Sequence, residues 1–284
     1  MSAPLEHVAS IVQLRERLAS ARPPVGLVPT MGALHEGHAR LIDAARGECA
    51  TVVVSIFVNP LQFDREDDLR RYPRTLDADM RLCADHGADM VFAPDVAVMY
   101  PRPLACRINV GSLSTHLCGA FRPGHFDGVA TVVLKLFDIV GPARAYFGEK
   151  DAQQLAIIRR MASDFNLPLS VVGVPTVREA DGLAMSSRNV HLSAAERALA
   201  PRLFQALLSA RQLVAAGEAD PDVVRRRAMA AIDNQPELRP EYFEIVDPET
   251  LQPVSVIGAE VLIAAALWLG TTRLIDNVRA APEP

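Results

Sequence analysis

The run TVVVSIFV at residues 51–58 constrains the fold more than any other stretch of the chain. It is rich in β-branched residues and shows no polar alternation. That describes a strand buried on both faces, the environment of a parallel sheet covered by helices. Further strand signals stand at ADMVFAP (88–94), ARAYFG (143–148) and LSVVGVPTV (169–177). Between them lie helical segments. RTLDADMRLCADHG ends on Gly87, a natural glycine stop, and KDAQQLAIIRRMASDFN carries Leu155, Ile158 and Met161 at helical spacing. Strand alternating with helix predicts an α/β fold, a Rossmann-like doubly wound parallel sheet whose ligands sit beyond the carboxyl ends of the strands.

The pattern changes after about residue 177. SAAERALAPRLFQALLSARQLVAAG opens with a capping box, Ser193 to Glu196, and stops at Gly217. Asp220-Pro221 caps a second helix. Strands are predicted at EYFEIVD, VLIAAALWLG and RLIDNV, and the closing AAPEP is expected to fray. Two domains follow from this reading. Residues 1–177 form the Rossmann-like domain, and residues 178–284 form a smaller α+β domain expected to close over a ligand held by the first.

Composition narrows the function classes. The 284 residues are 50% hydrophobic and 22% charged, the profile of an ordinary globular protein. A net charge of −5, with Arg225-Arg226-Arg227 the longest basic run, argues against a general nucleic-acid surface. The four cysteines form no C-x-x-C pair, which suits reduced thiols in a cytoplasmic protein. Charged residues interrupt the N-terminal apolar pattern, so no signal peptide is read there. AEVLIAAALWLG is too short to span a bilayer, so no membrane association is expected.

LVPTMGALHEGHARLI (27–42) carries the first chemical signal. An apolar run ends at Pro29-Thr30, Gly32 and Gly37 punctuate the turn, and His35 and His38 stand three residues apart at a helix start. Two imidazoles alone make half a metal site, and no nearby cysteine or third histidine completes it. A helix N-terminus with close-approach glycines suits a phosphate, toward which both histidines can donate hydrogen bonds. Ordinary surface polarity remains the competing reading of the residues alone.

A second loop, AMSSRNVHLS, supplies hydroxyls and a cation, and a basic turn, FGEKDAQQ, places Lys150 at a strand end where a helix begins. His35-Glu36-Gly37-His38 resembles the H-x-G-H signature of the nucleotidyltransferases, and Met185-Ser186-Ser187-Arg188 resembles their serine-rich loop with a basic residue. The segments VPTMGALHEGHARLI, SIFVNPLQF, YPRTLDAD, FRPGHFDGVATVV, YFGEKDAQQLAIIRRM and GLAMSSRNVHLS together resemble the pantoate–β-alanine ligases, from near Leu5 to near Asn277.

That resemblance implies an activity. Pantoate and β-alanine condense to pantothenate at the expense of ATP, through a pantoyl adenylate, with release of pyrophosphate and AMP. It implies ATP contacts from Met31, Gly32, Ala33, Leu34, His35, Glu36, Gly37 and His38, from Gly148, Glu149, Lys150 and Asp151, from Val177, and from Met185, Ser186, Ser187 and Arg188. His38, His35, Lys150 and Arg188 take the catalytic roles. Gln62 and Gln154 hold pantoate, with Pro29, Thr30, Met31 and Phe57 lining the site, and Gln62 also reaches β-alanine. Asp79 is the expected ligand for Mg²⁺, although Ala78 stands where an acidic neighbour is expected. Arg122 and His125, in the Gly- and Pro-rich FRPGHFDG, either guard the entrance or make a structural turn. The serine-rich loop is expected at the domain junction, and a homodimer is implied. The rival activity is adenylylation of a phosphorylated acceptor by a nucleotidyltransferase; that would need a basic acceptor pocket where this chain has amides. A non-catalytic nucleotide-binding regulator is the second rival.

Overall fold

The computed structural model describes residues 5–64 and 66–283. The chain divides into two units. The first runs to Val110 and adds Arg122–Glu149 and Ile157–Pro175; the second comprises Gly111–Phe121, Lys150–Ala156 and the chain from Thr176. A single cut at 177 therefore needs correction. Two earlier segments belong with the C-terminal residues, and for Gly111–Phe121 the reason is local. The Leu117 N–H donates to the Glu244 carboxylate at 3.3 Å, and Phe121 stacks on Tyr242 at 5.8 Å between centroids.

In the first unit the chain runs β1 (Glu6–Val8), α1 (Ile11–Ala19), β2 (Val25–Thr30), α2 (Glu36–Glu48), β3 (Thr51–Ile56), α3 (Glu66–Arg71), α4 (Leu76–Asp85), β4 (Met90–Phe92) and α5 (Val96–Met99). The short helix α6 (Leu117–Phe121) belongs to the second unit. Then come α7 (His125–Val140), β5 (Arg144–Gly148), α8 (Ala152–Asp164), whose first residues through Ala156 belong to the second unit, and β6 (Ser170–Val174). The strands form one parallel sheet in the order β1-β4-β3-β2-β5-β6. The strand predicted at 51–58 is its centre, and Val52, Val53 and Val54 are wholly buried, as a two-sided strand requires. Helix α2 packs over β2 and β5 and meets α4. Leu41, Ile42, Ala45 and Cys83 close there on Val28, Val54, Val91 and Tyr146. Helix α7 carries no sequence prediction. It is buried at twelve of its sixteen positions, apolar on nearly all sides, and packs against α1 and β2.

The second unit holds a three-stranded antiparallel sheet in the order β7-β8-β9: β7 (Leu238–Val246), β8 (Val261–Leu269) and β9 (Thr272–Ala280). Helices α9 (Ala194–Leu199), α10 (Arg202–Ala215) and α11 (Pro221–Asp233) precede it. Leu203, Leu207, Ala210 and Val214 of α10 join Val224, Ala228 and Ile232 of α11 in one core with Ile263, Leu267 and Leu274. Both predicted caps are present. The Ser193 hydroxyl and Glu196 carboxylate cap each other's backbone, and Asp220 accepts from the Asp222 amide at 2.8 Å. Of the closing AAPEP, Ala280 pairs with Val261 and the Glu283 N–H reaches the Ala215 carbonyl; Pro284 lies outside the described residues.

Candidate active site

The sheet order reverses between β2 and β5, since the chain steps outward through β3 and β4 on one side and through β6 on the other. A crevice at such a reversal is the usual ligand position in open α/β sheets. The residues leaving the carboxyl ends of these two strands are Met31 to Leu34 after β2 and Glu149 onward after β5.

After Thr30 the backbone turns through two left-handed residues, Gly32 at φ +82° and Ala33 at φ +52°. Thr30 fixes the entry, donating its hydroxyl to the Ser55 carbonyl at 2.8 Å and accepting from the Gly32 N–H. Asp79, only 2% exposed, fixes the exit. Its carboxylate accepts from the Ala33 N–H at 3.1 Å and the Leu34 N–H at 2.8 Å.

His35 then caps α2. Its Nδ1 accepts from the Gly37 N–H at 3.0 Å, and His38 Nδ1 accepts from the His35 N–H at 3.2 Å. This is a capping box built from two imidazoles instead of a hydroxyl and a carboxylate. With Nδ1 accepting on both rings, the hydrogen of each neutral imidazole sits on Nε2. The rings lie 4.2 Å apart. A Cβ at Gly37 would stand 2.8 Å from His35 Cε1, so the glycine makes room for the cap.

Gln62 occupies a buried corner of the same unit. Asn59 donates from Nδ2 to Gln62 Oε1 at 3.0 Å and to the Gly128 carbonyl at 3.1 Å; Tyr100 donates to Asn59 Oδ1 at 2.9 Å. The Gln62 carbonyl accepts from His125 Nδ1 at 2.7 Å and from Arg122 at 3.2 Å. The amide is thereby oriented, its oxygen held by Asn59 and its NH₂ at the other end. Gly128 is required here, because a Cβ would sit 2.3 Å from the Leu61 carbonyl oxygen. Phe57 is buried nearby, its N–H on the Thr30 carbonyl and its ring 5.9 Å from Tyr100. Sequence reasoning passed over Asn59 and Tyr100; N-P at 59–60 was legible as a turn, but its partners lie 41 and 69 residues away.

In the second unit Lys150, Ser186 and Arg188 line one pocket with Phe204, Arg273 and Asp276. The Lys150 carbonyl accepts from Asn277 at 2.9 Å, which anchors its backbone. Ser186 caps a 3₁₀ turn, Ser187–His191, by accepting from the Arg188 N–H at 3.2 Å. Among the described residues neither the Lys150 ammonium nor the Arg188 guanidinium has an anionic partner. Val177 accepts the Met185 N–H at 2.9 Å, tying the start of this loop to its end. Arg178, in contrast, is spent on structure. It pairs bidentately with buried Asp276 at 2.6 and 3.0 Å and stacks on Phe204.

The comparisons with known proteins bear on this geometry. The family model described as pantoate-beta-alanine ligase matches residues 5–279. The chain belongs to the pantoate-beta-alanine ligase family. It is 52% identical to a pantothenate synthetase of Sinorhizobium medicae across 97% of this chain and 96% of that one, and 50% identical to one of Moorella thermoacetica across 96% and 98%. A pantothenate synthetase structure from Thermus thermophilus superposes with a TM-score of 0.92 at 48% identity, covering 98% of this chain and all of that one. A Francisella tularensis pantoate-beta-alanine ligase, complexed with beta-gamma ATP and beta-alanine, superposes at 0.79 and 32% identity over 96% and 97%.

For a member of this family, the two neighbouring glutamines divide sharply. Gln153 is buried and wholly committed, accepting from the Gly119 N–H and donating to the Leu113 and His116 carbonyls. Gln154 is half-buried, and among the described residues its amide makes no hydrogen bond. The expected magnesium ligand does not fit a metal site. Asp79 already accepts two backbone amides and the Thr75 hydroxyl, and among the described residues no group of three or more acidic, histidine or cysteine side chains could hold an ion. Among the same residues, no helix is long and apolar enough to cross a membrane.

Proposed function

We propose that this ligase activates pantoate by adenylation and then transfers the acyl group to β-alanine. In the first step a pantoate carboxylate oxygen bonds to the α-phosphorus of ATP, the bond to the β-phosphate breaks, and pyrophosphate leaves. In the second the β-alanine amine attacks the acyl carbon, AMP departs with the electron pair of the C–O bond, and the nitrogen loses a proton. A carboxylate is too poor an electrophile for direct amide formation, so the mixed anhydride is chemically necessary.

The observation that carries the reading is the two-histidine cap, which puts the hydrogen of each ring on Nε2 at the start of a helix whose own N–H groups and dipole favour an anion. The first step brings two anions together, so fixed donors and cations must supply the stabilisation. We assign His35 and His38 to the triphosphate and give Lys150, Ser186, Ser187 and Arg188 to the same nucleotide. His38 donates toward the α-phosphate. Met31 to Leu34, Glu36, Gly37, Gly148, Glu149, Asp151, Val177 and Met185 complete the ATP contacts. Gln62 and Gln154 read the pantoate hydroxyls and carboxylate beside Pro29, Thr30 and Phe57, and the Gln62 NH₂ also serves β-alanine. A homodimer, taken from the family resemblance, and a cytoplasmic location, taken from the cysteine usage and N-terminal pattern, complete the proposal.

The test is incubation of the protein with pantoate and ATP labelled in its α-phosphate. AMP released into solution only on addition of β-alanine supports the ligase. A stable nucleotidylated end product would replace this reading with the transferase, and nucleotide binding without pyrophosphate release would replace it with a regulator.

A further inference from the structure

We propose that Asp79 is a positioning residue that clamps the nucleotide-binding turn in its left-handed conformation and so sets the direction of both imidazoles. The inference rests on the reading of His35 and His38 as phosphate donors.

The turn needs an external restraint. Gly32 adopts φ +82° without strain, but Ala33 at φ +52° carries a Cβ in a region that disfavours L-residues. A chain relaxing at Ala33 would rotate the next peptides, and with them the His35 N–H that His38 Nδ1 receives at 3.2 Å. The restraint comes from 45 residues downstream. Asp79 Oδ1 accepts from the Leu34 N–H at 2.8 Å and Oδ2 from the Ala33 N–H at 3.1 Å. One carboxylate thus holds two successive amides on either side of the strained residue, a concave arrangement that fits an anion.

Three further observations place the clamp. Thr75, at the N-cap position of α4, makes no side-chain cap; its hydroxyl turns to Asp79 Oδ1 at 3.2 Å. Gly32 is cut to the carboxylate, since a Cβ there would stand 3.0 Å from Asp79 Oδ2. Asp79 itself is 2% exposed, so the carboxylate is held by packing as well as by its partners. A residue engaged in this way has its accepting capacity directed at backbone, which is the physical reason it makes a poor magnesium ligand.

Two measurements decide the matter. Amide hydrogen exchange on the unaltered protein, free of nucleotide and magnesium, should show the Ala33 and Leu34 amides protected. Fast exchange there, with protection appearing only on addition of magnesium and ATP, would overturn the clamp. This measurement needs no substrate turnover, so it fails separately from the reading of the activity, which the unaltered enzyme tests by itself.

The second compares Asp79→Asn with Asp79→Asn carrying Ala33→Gly. The carboxamide NH₂ cannot accept from a backbone amide, so Asp79→Asn should slow pyrophosphate release about tenfold and leave the magnesium activation midpoint in place. Glycine takes the left-handed conformation unaided, and adding Ala33→Gly should return about fivefold of the lost rate. No recovery would refute the proposal, and a midpoint raised tenfold with full rate restored at saturating magnesium would replace it with a metal-ligand role for Asp79.

Discussion

His35 and His38 close one cap between them: His38 Nδ1 receives the His35 amide at 3.2 Å, and His35 Nδ1 receives the Gly37 amide at 3.0 Å. The reciprocal bonds fix which nitrogen of each ring carries its hydrogen. Gly37 is the residue on which this depends, because a Cβ would lie 2.8 Å from His35 Cε1 and 2.9 Å from its Nδ1. Gly37→Ala should leave the melting temperature little changed, since alanine's gain in helix propensity, up to about 1 kcal/mol, offsets the lost His35 cap, about 1 kcal/mol. Pyrophosphate release should fall at least about tenfold as the His35 ring is displaced. Melting curves beside initial rates separate the two effects; a variant with unchanged rate would remove the cap from the mechanism.

The proposed phosphate donors should behave as transition-state groups. Lys150→Ala and His38→Ala are each expected to keep the fold and to lose about 3–4 kcal/mol of stabilisation, a drop of two to three orders of magnitude in pyrophosphate release. Rapid-quench measurement of the first turnover reads this directly. Full activity in either variant would strike that residue from the site.

Asn59 links the acceptor corner to the core. Its Nδ2 bridges the Gln62 side chain and the Gly128 carbonyl, and its Oδ1 takes the Tyr100 hydroxyl and the Leu61 N–H. Asn59→Ala leaves buried polar groups unpaired, at roughly 1–3 kcal/mol each. The Gln62 amide then loses its orientation. Calorimetry should show pantoate binding weakened about tenfold or more and ATP binding little changed, with Gln154→Ala giving the same selectivity. Equal loss of both ligands would mean the corner acts on the fold alone.

Cys83 makes stability fall in alkali. Burial, and to a lesser extent the charge of Asp79, push its thiol up to about 12 from an ordinary value of 9.0. The folded chain holds this proton more tightly than the unfolded one, so the contribution is complete below about pH 9 and is lost as pH rises toward 12. The shift corresponds to about 4 kcal/mol at the upper end, as an order of magnitude. Urea unfolding at pH 8 and pH 10.5 should show a clear loss in the parent, and Cys83→Ala should flatten that difference. Equal slopes in the two proteins would assign the alkaline loss elsewhere.

Much of the architecture was legible because local signals agreed with it. The valine-rich run became the central strand, and the Ser193 and Asp220 caps stand where S-x-x-E and D-P placed them. The principal miss is helix α7. A helix buried on nearly every side has no polar stripe, so the period of 3.6 that reveals a surface helix is absent from VATVVLKLFDIV. Strand β1 was missed because three residues against an edge leave too short a pattern. The magnesium expectation for Asp79 read a carboxylate near the site as a ligand; besides the Thr75 hydroxyl it accepts two backbone amides, which have no side-chain signature.

The sequence by itself determined the inventory: imidazoles and glycines at a strand-to-helix turn, a lysine after another strand, hydroxyls beside an arginine, and amides for a hydroxylated acid. These choices follow from residue chemistry, which does not depend on where the chain goes. Only the tertiary structure decided how those groups are held. It put the hydrogens of His35 and His38 on Nε2, aimed the Gln62 NH₂ through Asn59, committed Gln153 while leaving Gln154 unbonded among the described residues, and turned Asp79 onto the backbone. Hydrogen-bond direction is a property of pairs; those of Gln153 and Asp79 join residues 34 and 46 apart, which carry no local pattern, and even the near pairs at His35 and Gln62 form only once the backbone around them is fixed.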